Sequence, residues 1–532
     1  MKQDIGLGSL EEGSRLAKIV FSLSTIAVFT KIFGFAEKLV IAGFFGTKAK
    51  ADVYFGATTI MLSIIWFIRE LMYPSLLPVF AGALSKPPSA PRSLFRKAFL
   101  SAAVFLGVCS LVLGLLPGAV TTVLLPGFSN EKRLVTANLL RMLAPATLLL
   151  GLGMVTYTTL NARRKFLKAA CPEAVLKLFV TVGLIALLPL LGIYAFGLVL
   201  GVGSLAYLIV HLYFIPESRF LLARRDDPDD GGHFKRVLLL MGPLVVGVVF
   251  SHVSALIDNL LASKLPGGHL SYLNYAKKLI DAILLIGPVA LVTVVYSQLS
   301  HLASANEREK LRNLVTKTFR LLVYLTVPIA CMLVVLRQPI IRCLFQRGQF
   351  DVSSTVGTSG AFMVYALGLS TLSLETLLVH SFFALSDTKT PVKFGILCVL
   401  LDIGLAIALL KPLGYSGIAG ALVISKTVKI VILSAILHKR LEGLFDRSII
   451  AFGAKLVVIA SVVWSVMRLV VAVENSDSFL QTAVFDLVLP GIGALVAFVL
   501  CSYALRVEEF KAMVSLVRYR KAAVKALYEE TK

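Results

Sequence analysis

Charge is what this sequence has least of. Only 16% of its 532 residues are Asp, Glu, Lys or Arg, and apolar runs of about 20 residues recur from end to end, each long enough to cross a hydrocarbon core. A soluble globular protein is excluded. Segments of about ten residues with alternating polarity are missing, which excludes a barrel, so helices must satisfy the backbone in lipid. No Gly-rich loop ends in Gly-Lys-Ser or Gly-Lys-Thr, so ATP does not drive the protein directly. The seven histidines (His211, His233, His252, His269, His301, His380, His438) are dispersed, without the paired helical spacing of a metal site. The six cysteines (Cys109, Cys171, Cys331, Cys343, Cys398, Cys501) mostly sit inside apolar runs, where they read as small hydrophobes rather than a disulfide frame. Nothing calls for a metal or a cofactor. Asp4, Glu11 and Glu12 precede an apolar run with no short core and no small-residue cleavage site, so the first span is expected to be retained.

What is present is a basic excess, +23 at neutral pH. The lysines and arginines sit mainly in short loops, where they report topology and anionic lipid rather than nucleic acid. The pattern predicts an all-α polytopic membrane protein with about fourteen transmembrane helices. Lys86, Arg92, Arg96, Lys97, Arg163, Arg164, Lys165, Lys168, Arg308, Lys310, Arg312, Lys389, Lys439 and Arg440 fall in loops of one side. The other side has few, such as Lys48, Lys50, Lys264 and Lys411. The positive-inside rule then places both termini in the cytoplasm, which requires an even number of spans. The polar stretch 222–234 separates two groups of six spans, suggesting two pseudo-symmetric six-helix lobes with a pathway between them. The expected division is 1–232 for spans one to six, 233–445 for spans seven to twelve, and 446–532 for two further helices and a basic tail. In that tail Phe510, Met513, Val514, Val517, Val524 and Leu527 recur at helical spacing beside Arg518, Arg520, Lys521 and Lys525. An interfacial helix on anionic lipid and a solvated basic tail both fit this pattern.

Against so apolar a background, ionisable residues inside the spans stand out, because each costs a few kcal/mol in lipid and normally faces protein or water. Ser24 to Val79 carries Lys31, Glu37, Lys38, Asp52, Arg69 and Glu70. Lys31 and Lys38, seven apart, return to nearly the same helix face. They form a basic stripe or, alternatively, snorkel from the span ends or pair with Glu37. Later, Ser271 opens a span carrying Lys277, Lys278 and Asp281. Asp258, Asp402, Lys426 and Lys429 make a further candidate cluster, for which a structural ion pair is the competing reading.

The distributed motifs resemble the MurJ/MviN lipid II flippase family of the multidrug/oligosaccharidyl-lipid/polysaccharide exporter superfamily. The resemblance rests on Thr30 to Phe35 (TKIFGF), on Ala51 and Asp52 followed by Glu70 and Pro78, and on Leu160 to Phe166 (LNARRKF). It continues through Ser271 to Leu279, Leu344 to Phe350 (LFQRGQF) and Thr388 to Lys393 (TKTPVK). It implies a flippase, not an enzyme, that carries undecaprenyl-pyrophosphate-linked peptidoglycan precursor from the inner to the outer leaflet of a bacterial cytoplasmic membrane by alternating access. Lipid II or a related polyprenyl-pyrophosphate glycolipid, membrane lipids and cell-wall synthesis proteins are the implied partners. Under this resemblance a pyrophosphate cavity takes Lys31, Lys38, Arg69, Lys277, Lys278 and Ser271, with Asp52, Glu70, Glu37 and Asp281 as gating or cavity acids.

The sequence also departs from the family. Lysines stand at 31 and 278 where arginine is usual, and the family's two span-two arginines fall at Ile65 and Trp66, with Arg69 one turn further along. Glu37 and Lys38 reverse the usual order of base and acid, and Lys277 replaces an acid. The cations read as moved rather than lost. Some relatives hold sodium between spans seven, eleven and twelve; Asp258 and Asp402 match two such positions, Ser425 joins them in the possible ion site, and Lys426 or Lys429 is expected to supply internally the charge that sodium would bring. Membrane potential or a coupling ion is the implied energy source. A flippase for another polyprenyl-linked oligosaccharide and a non-transporting scaffold paralogue are the alternatives.

Overall fold

An apolar chain in lipid has no water to satisfy its peptide groups, so its segments must close their own hydrogen bonds. The computed structural model describes residues 4–221, 232–444, 448–472 and 482–511, and among them there is no strand. The helices are α1 (Asp4–Phe45), α2 (Ala49–Ala83), α3 (Ser89–Leu115), α4 (Pro117–Leu124), α5 (Asn130–Ala162), α6 (Phe166–Leu191), α7 (Tyr194–Phe214), α8 (His233–Ser263) and α9 (His269–Leu284). After a π-helical turn at Leu285–Val289 follow α10 (Ala290–Ser304), α11 (Arg308–Val335), α12 (Arg337–Phe345), α13 (Val352–Leu367), α14 (Leu369–Ala384), α15 (Lys389–Leu413), α16 (Tyr415–Arg440), α17 (Ser448–Ala472) and α18 (Leu489–Ala504).

Among the described residues, twelve helices are long and apolar enough to cross a bilayer, or thirteen if the bent pair α13–α14 is one span. That count does not reach the fourteen read from the sequence. The basic-tail residues from Met513 to Leu527 lie outside the described residues, as does most of the 222–234 stretch. Large side chains such as Leu115, Leu190 and Ile286 are more than 70% exposed, which suits a surface solvated by lipid and not one solvated by water.

The breaks have local causes. Pro288 cannot donate to the helical ladder, and the extra residue of the Leu285–Val289 turn absorbs that loss, so α9 and α10 continue as one 36-residue span, His269–Ser304. The 44° bend between α13 and α14 falls at Gly368, whose backbone is pressed against the Val423 side chain of α16.

Packing divides the chain into two compact units: Met1–Ser271 with Arg347–Phe350, and Tyr272–Gln346 with Asp351–Lys532. These units are groups of packed helices, a different division from the pseudo-symmetric lobes expected at 1–232 and 233–445. In the first unit α2 lies against α5, α8 and α3, while α1 lies against α6. Its core includes Leu76, Phe80, Leu94, Phe95, Leu106 and Val155. Close approach depends on small residues, as expected where lipid tails compete with helices for apolar contact. A Cβ on Gly151 would stand 2.6 Å from Leu106, and one on Gly183 2.7 Å from Val199. The LFQRGQF motif earns its glycine here: Gly348, at φ +58°, lies against the Gly43 carbonyl of α1, which accepts from Gln349 N at 2.8 Å. Lys48 reaches Gln349 Oε1 at 2.7 Å and completes the junction.

In the second unit α15 pairs with α16, and α11 packs on α14 and α17. One core there joins Leu322, Leu377, Phe382 and Leu433. Another joins Tyr324, Phe452, Ile459, Val463 and Ala494.

Candidate functional site

The first unit holds a carboxylate between two lysines. Glu37 on α1 is 2% exposed, and its Oε1 accepts from Lys38 Nζ at 2.7 Å and from Tyr54 Oη of α2 at 2.5 Å. Lys38 also donates to Tyr54 Oη and lies over the tyrosine ring, 4.8 Å from its centre. The other carboxylate oxygen, Oε2, accepts from Lys177 Nζ of α6 at 3.2 Å. Two ammonium groups share this one carboxylate, and Glu173, one turn before Lys177 on α6, also acts on Lys177 electrostatically. Lys31 does not join this cluster. That residue is exposed and makes no ion pair among the described residues, so the two lysines of the expected stripe have different surroundings.

One helix further in, Arg69 is half-buried between aromatic rings. Its guanidinium lies 4.6 Å from the Trp66 ring and 5.4 Å from the Tyr157 ring of α5, with Tyr73 beyond at 6.2 Å from Tyr157. It has no carboxylate partner among the described residues. Each stacking contact is worth about 0.5–2 kcal/mol and fixes the guanidinium plane while leaving its N–H edges able to donate. Glu70, adjacent in sequence, is exposed and stands 3.6 Å from His252 Nε2 of α8.

Asp52 is spent on structure. Only 2% exposed, it accepts from Lys132 Nζ at 2.8 Å and Gly268 N at 2.8 Å on Oδ2, and from Ser271 N at 3.0 Å and Ser271 Oγ at 2.6 Å on Oδ1. The carboxylate thereby caps the first turn of α9, where a negative group is favoured by the unpaired N–H groups and the helix dipole. The structure thus brings Asp52 and Ser271 together, with Lys132 of α5, but not with the Glu37 cluster.

In the second unit Lys277 is half-buried, while Lys278 and Asp281 are exposed and 3.9 Å apart within α9. Such a surface pair is worth at most about 1 kcal/mol. A second carboxylate between two lysines lies deeper. Glu375 of α14 accepts at Oε1 from Lys426 Nζ at 2.8 Å and Lys429 Nζ at 2.6 Å, both of α16. Lys426 is therefore not an isolated internal cation, since it shares Glu375 with Lys429. Asp402 and Ser425 are buried in this unit, at 2% and 1% exposure, and Ser425 Oγ donates to Leu422 O at 3.0 Å. Asp258 is half-buried in α8 of the first unit. Among the described residues no three His, Cys, Asp or Glu side chains gather as a metal ion would require.

Lys177, Lys132, Glu375 and His252 were not anticipated as parts of these clusters. The signal for Lys177 and Glu375 was the one that flagged Lys31 and Arg69: an ionisable residue in the middle of a bilayer-length apolar run.

The family model described as Lipid II flippase MurJ matches residues 41–488. Relatives described as probable lipid II flippase MurJ align with most of the chain. The protein from Buchnera aphidicola subsp. Acyrthosiphon pisum (strain APS) is 26% identical over 482 residues, 88% of this chain and 93% of its own length. That of Thermotoga maritima is 28% identical over 455 residues, 84% of this chain and 89% of its own. Among solved structures, a lipid II flippase MurJ in an inward closed conformation superposes with a TM-score of 0.77 at 21% identity, covering 91% of this chain and 98% of its own. An inward-facing multidrug resistance MATE family transporter of the MOP superfamily reaches 0.67 at 12% identity, covering 78% of this chain and 95% of its own. At those identities the structural likeness speaks for the fold. The family match extends over most of the sequence, and on that ground the chain belongs to the lipid II flippase MurJ family.

Proposed function

We propose that this protein is a lipid II flippase, a transporter that moves an undecaprenyl-diphosphate-linked disaccharide-pentapeptide from the inner to the outer leaflet of the bacterial cytoplasmic membrane by alternating access. The observation that carries the reading is the set of cations within the membrane-spanning helices of the first unit. Two lysines share Glu37, and Arg69 is held by aromatic rings without a carboxylate partner among the described residues. A diphosphate leaving water needs fixed cations, and charge-assisted hydrogen bonds to it are about twice as strong as neutral ones. Arg69 supplies a preset planar fork and Lys31 an exposed point charge in the first unit. Both termini face the cytoplasm in this reading, and a potential negative inside biases any cation that moves across the field by about 2.3 kcal/mol per charge per 100 mV.

The test is replacement of Lys31, Arg69 and Lys278 by alanine, one at a time, in a bacterium depleted of its own flippase. Loss of complementation at normal protein level is expected for each, most severely for Arg69→Ala. Full activity in all three variants rejects the cationic-cavity mechanism. A second reading, transport of a different polyprenyl-linked oligosaccharide, is favoured by one observation. Ile65 and Trp66 stand where the family carries arginines, and Trp66 offers Arg69 an aromatic face instead. Native mass spectrometry with a panel of polyprenyl-linked glycolipids separates the two, since each names a different preferred head group.

A further inference from the structure

Lys177 has a mixed environment. It stands near the middle of α6, with its ammonium 3.2 Å from Glu37 Oε2 and 34% of its side chain exposed, whereas the Glu37 side chain is 3% exposed and that of Lys38 16%. The three side chains therefore differ in exposure, the carboxylate least, then Lys38, then Lys177. An ammonium that faced hydrocarbon at this depth would cost several kcal/mol, so its exposed side belongs to a wet surface. An ammonium has three hydrogens to donate. Among the described residues Lys177 gives one, to Glu37, and has two left.

Glu37 could act in either of two ways on the lysines beside it. A carboxylate at the outer surface would occupy the place of an incoming anion and compete with it. A carboxylate beneath Lys177 would hold it in position and leave its outer hydrogens able to donate. The exposures favour the second arrangement, because an anion arriving from the exposed side meets Lys177 before it can meet Glu37. Tyr54 supports it too: its hydroxyl donates to the same Oε1 that Lys38 uses, so the carboxylate is held on three sides, from α1, α2 and α6. We infer that Lys177 is a diphosphate-contacting residue and that Glu37 is its positioning residue, so that the anion-binding surface of the first unit extends to α6. This rests on the diphosphate-lipid reading of the function.

The two roles of Glu37 predict opposite signs. If only net charge mattered, Glu37→Gln would add a positive charge and tighten anion binding. If Glu37 orients Lys177, the same change weakens it. The experiment is titration of the purified full-length protein with undecaprenyl diphosphate, undecaprenyl monophosphate and undecaprenol, read by native mass spectrometry. Lys177→Gln is expected to weaken diphosphate binding about tenfold, the value of one charge-assisted hydrogen bond, with a smaller loss for the monophosphate and none for the alcohol. Lys177→Arg should recover most of the loss, and Glu37→Gln should weaken diphosphate binding. Should Lys177→Gln not fold, the double variant Glu37→Gln/Lys177→Gln removes both charges together and should show the same diphosphate loss. Unchanged diphosphate binding in the lysine variants, with the wild type binding normally, overturns the role of Lys177 and leaves the flippase reading intact. Tighter binding in Glu37→Gln overturns the role of Glu37. A wild type that does not prefer the diphosphate to the alcohol overturns the flippase reading and this inference with it.

Discussion

At the scale of single residues, both units solve the same problem in the same way. A lysine inside a membrane protein is costly alone, and a carboxylate shared between two of them offsets that cost while leaving one charge over. The arrangement makes removal of the carboxylate far more damaging than removal of either base. Glu375→Gln leaves Lys426 and Lys429 adjacent and uncompensated, a loss on the order of 3–5 kcal/mol for a broken buried pair. Lys426→Met leaves a one-to-one pair between Glu375 and Lys429, whose side chains are 17% and 10% exposed, and should cost little. Thermal unfolding in detergent should therefore rank Glu375→Gln well below Lys426→Met, with the latter close to wild type. The reverse order would mean that the lysines are stabilised by something other than Glu375. Little of this was legible in the sequence. Glu375 is 51 and 54 positions from its lysines, and Lys177 is 140 from Glu37. Polarity marks each residue as unusual for its span, but its partner is set by which helices come together, and that is not written in local spacing.

At the scale of elements, a helix cap is a local device, built from residues within one turn of each other. The Thr388 to Lys393 motif opens α15, and the residue before it does the capping: Asp387 accepts from Thr390 N at 3.0 Å and Thr390 Oγ1 at 2.6 Å, and pairs with Arg440 of α16 at 2.6 Å. Burial pushes the Asp387 carboxyl upward, but the hydrogen bonds from Thr390 and the Arg440 guanidinium outweigh it and hold the carboxyl below its ordinary value. A depressed carboxyl contributes stability that is fully present above its unfolded pKa, about 3.9, and is lost as pH falls through the folded value. The difference in hydrogen exchange between wild type and Asp387→Asn over the first turn of α15 should thus be constant near neutrality and vanish in acid below that range. A difference that grew on acidification would contradict the assignment. Asp52 makes a comparable cap at α9, but across 219 positions to Ser271. There the sequence supplied both residues and not their bond. The short helices α4 and α12 lie between the long apolar runs and were not read from the sequence.

For the whole molecule, hydropathy alone carried the reading that the chain is a bundle of membrane-spanning helices, since a bilayer leaves an apolar run of this length almost no other structure. The number of spans is harder, because breaks such as the bend at Gly368 decide whether two helices count as one. Parity turns that ambiguity into a measurable question. Twelve or fourteen spans return the carboxyl terminus to the side of the amino terminus, and thirteen do not. The loop charges favour the even answer. Lys86, Arg92 and Arg96 follow α2, Arg163, Arg164 and Lys165 follow α5, and Arg308 and Lys310 open α11, whereas the turn after α1 has only Lys48 and Lys50 and the turn after α8 only Lys264. Each short-loop lysine or arginine resists translocation, so the crowded turns are expected on the cytoplasmic side. Fusions of a fluorescent protein and of a secreted phosphatase, joined after residue 532 and again in the turn at 46–48, test this directly. Fluorescence without phosphatase activity is expected at the carboxyl terminus, and phosphatase activity without fluorescence at the turn. Phosphatase activity at the carboxyl terminus would require an odd number of crossings and would put the basic tail outside, against every crowded loop in the chain.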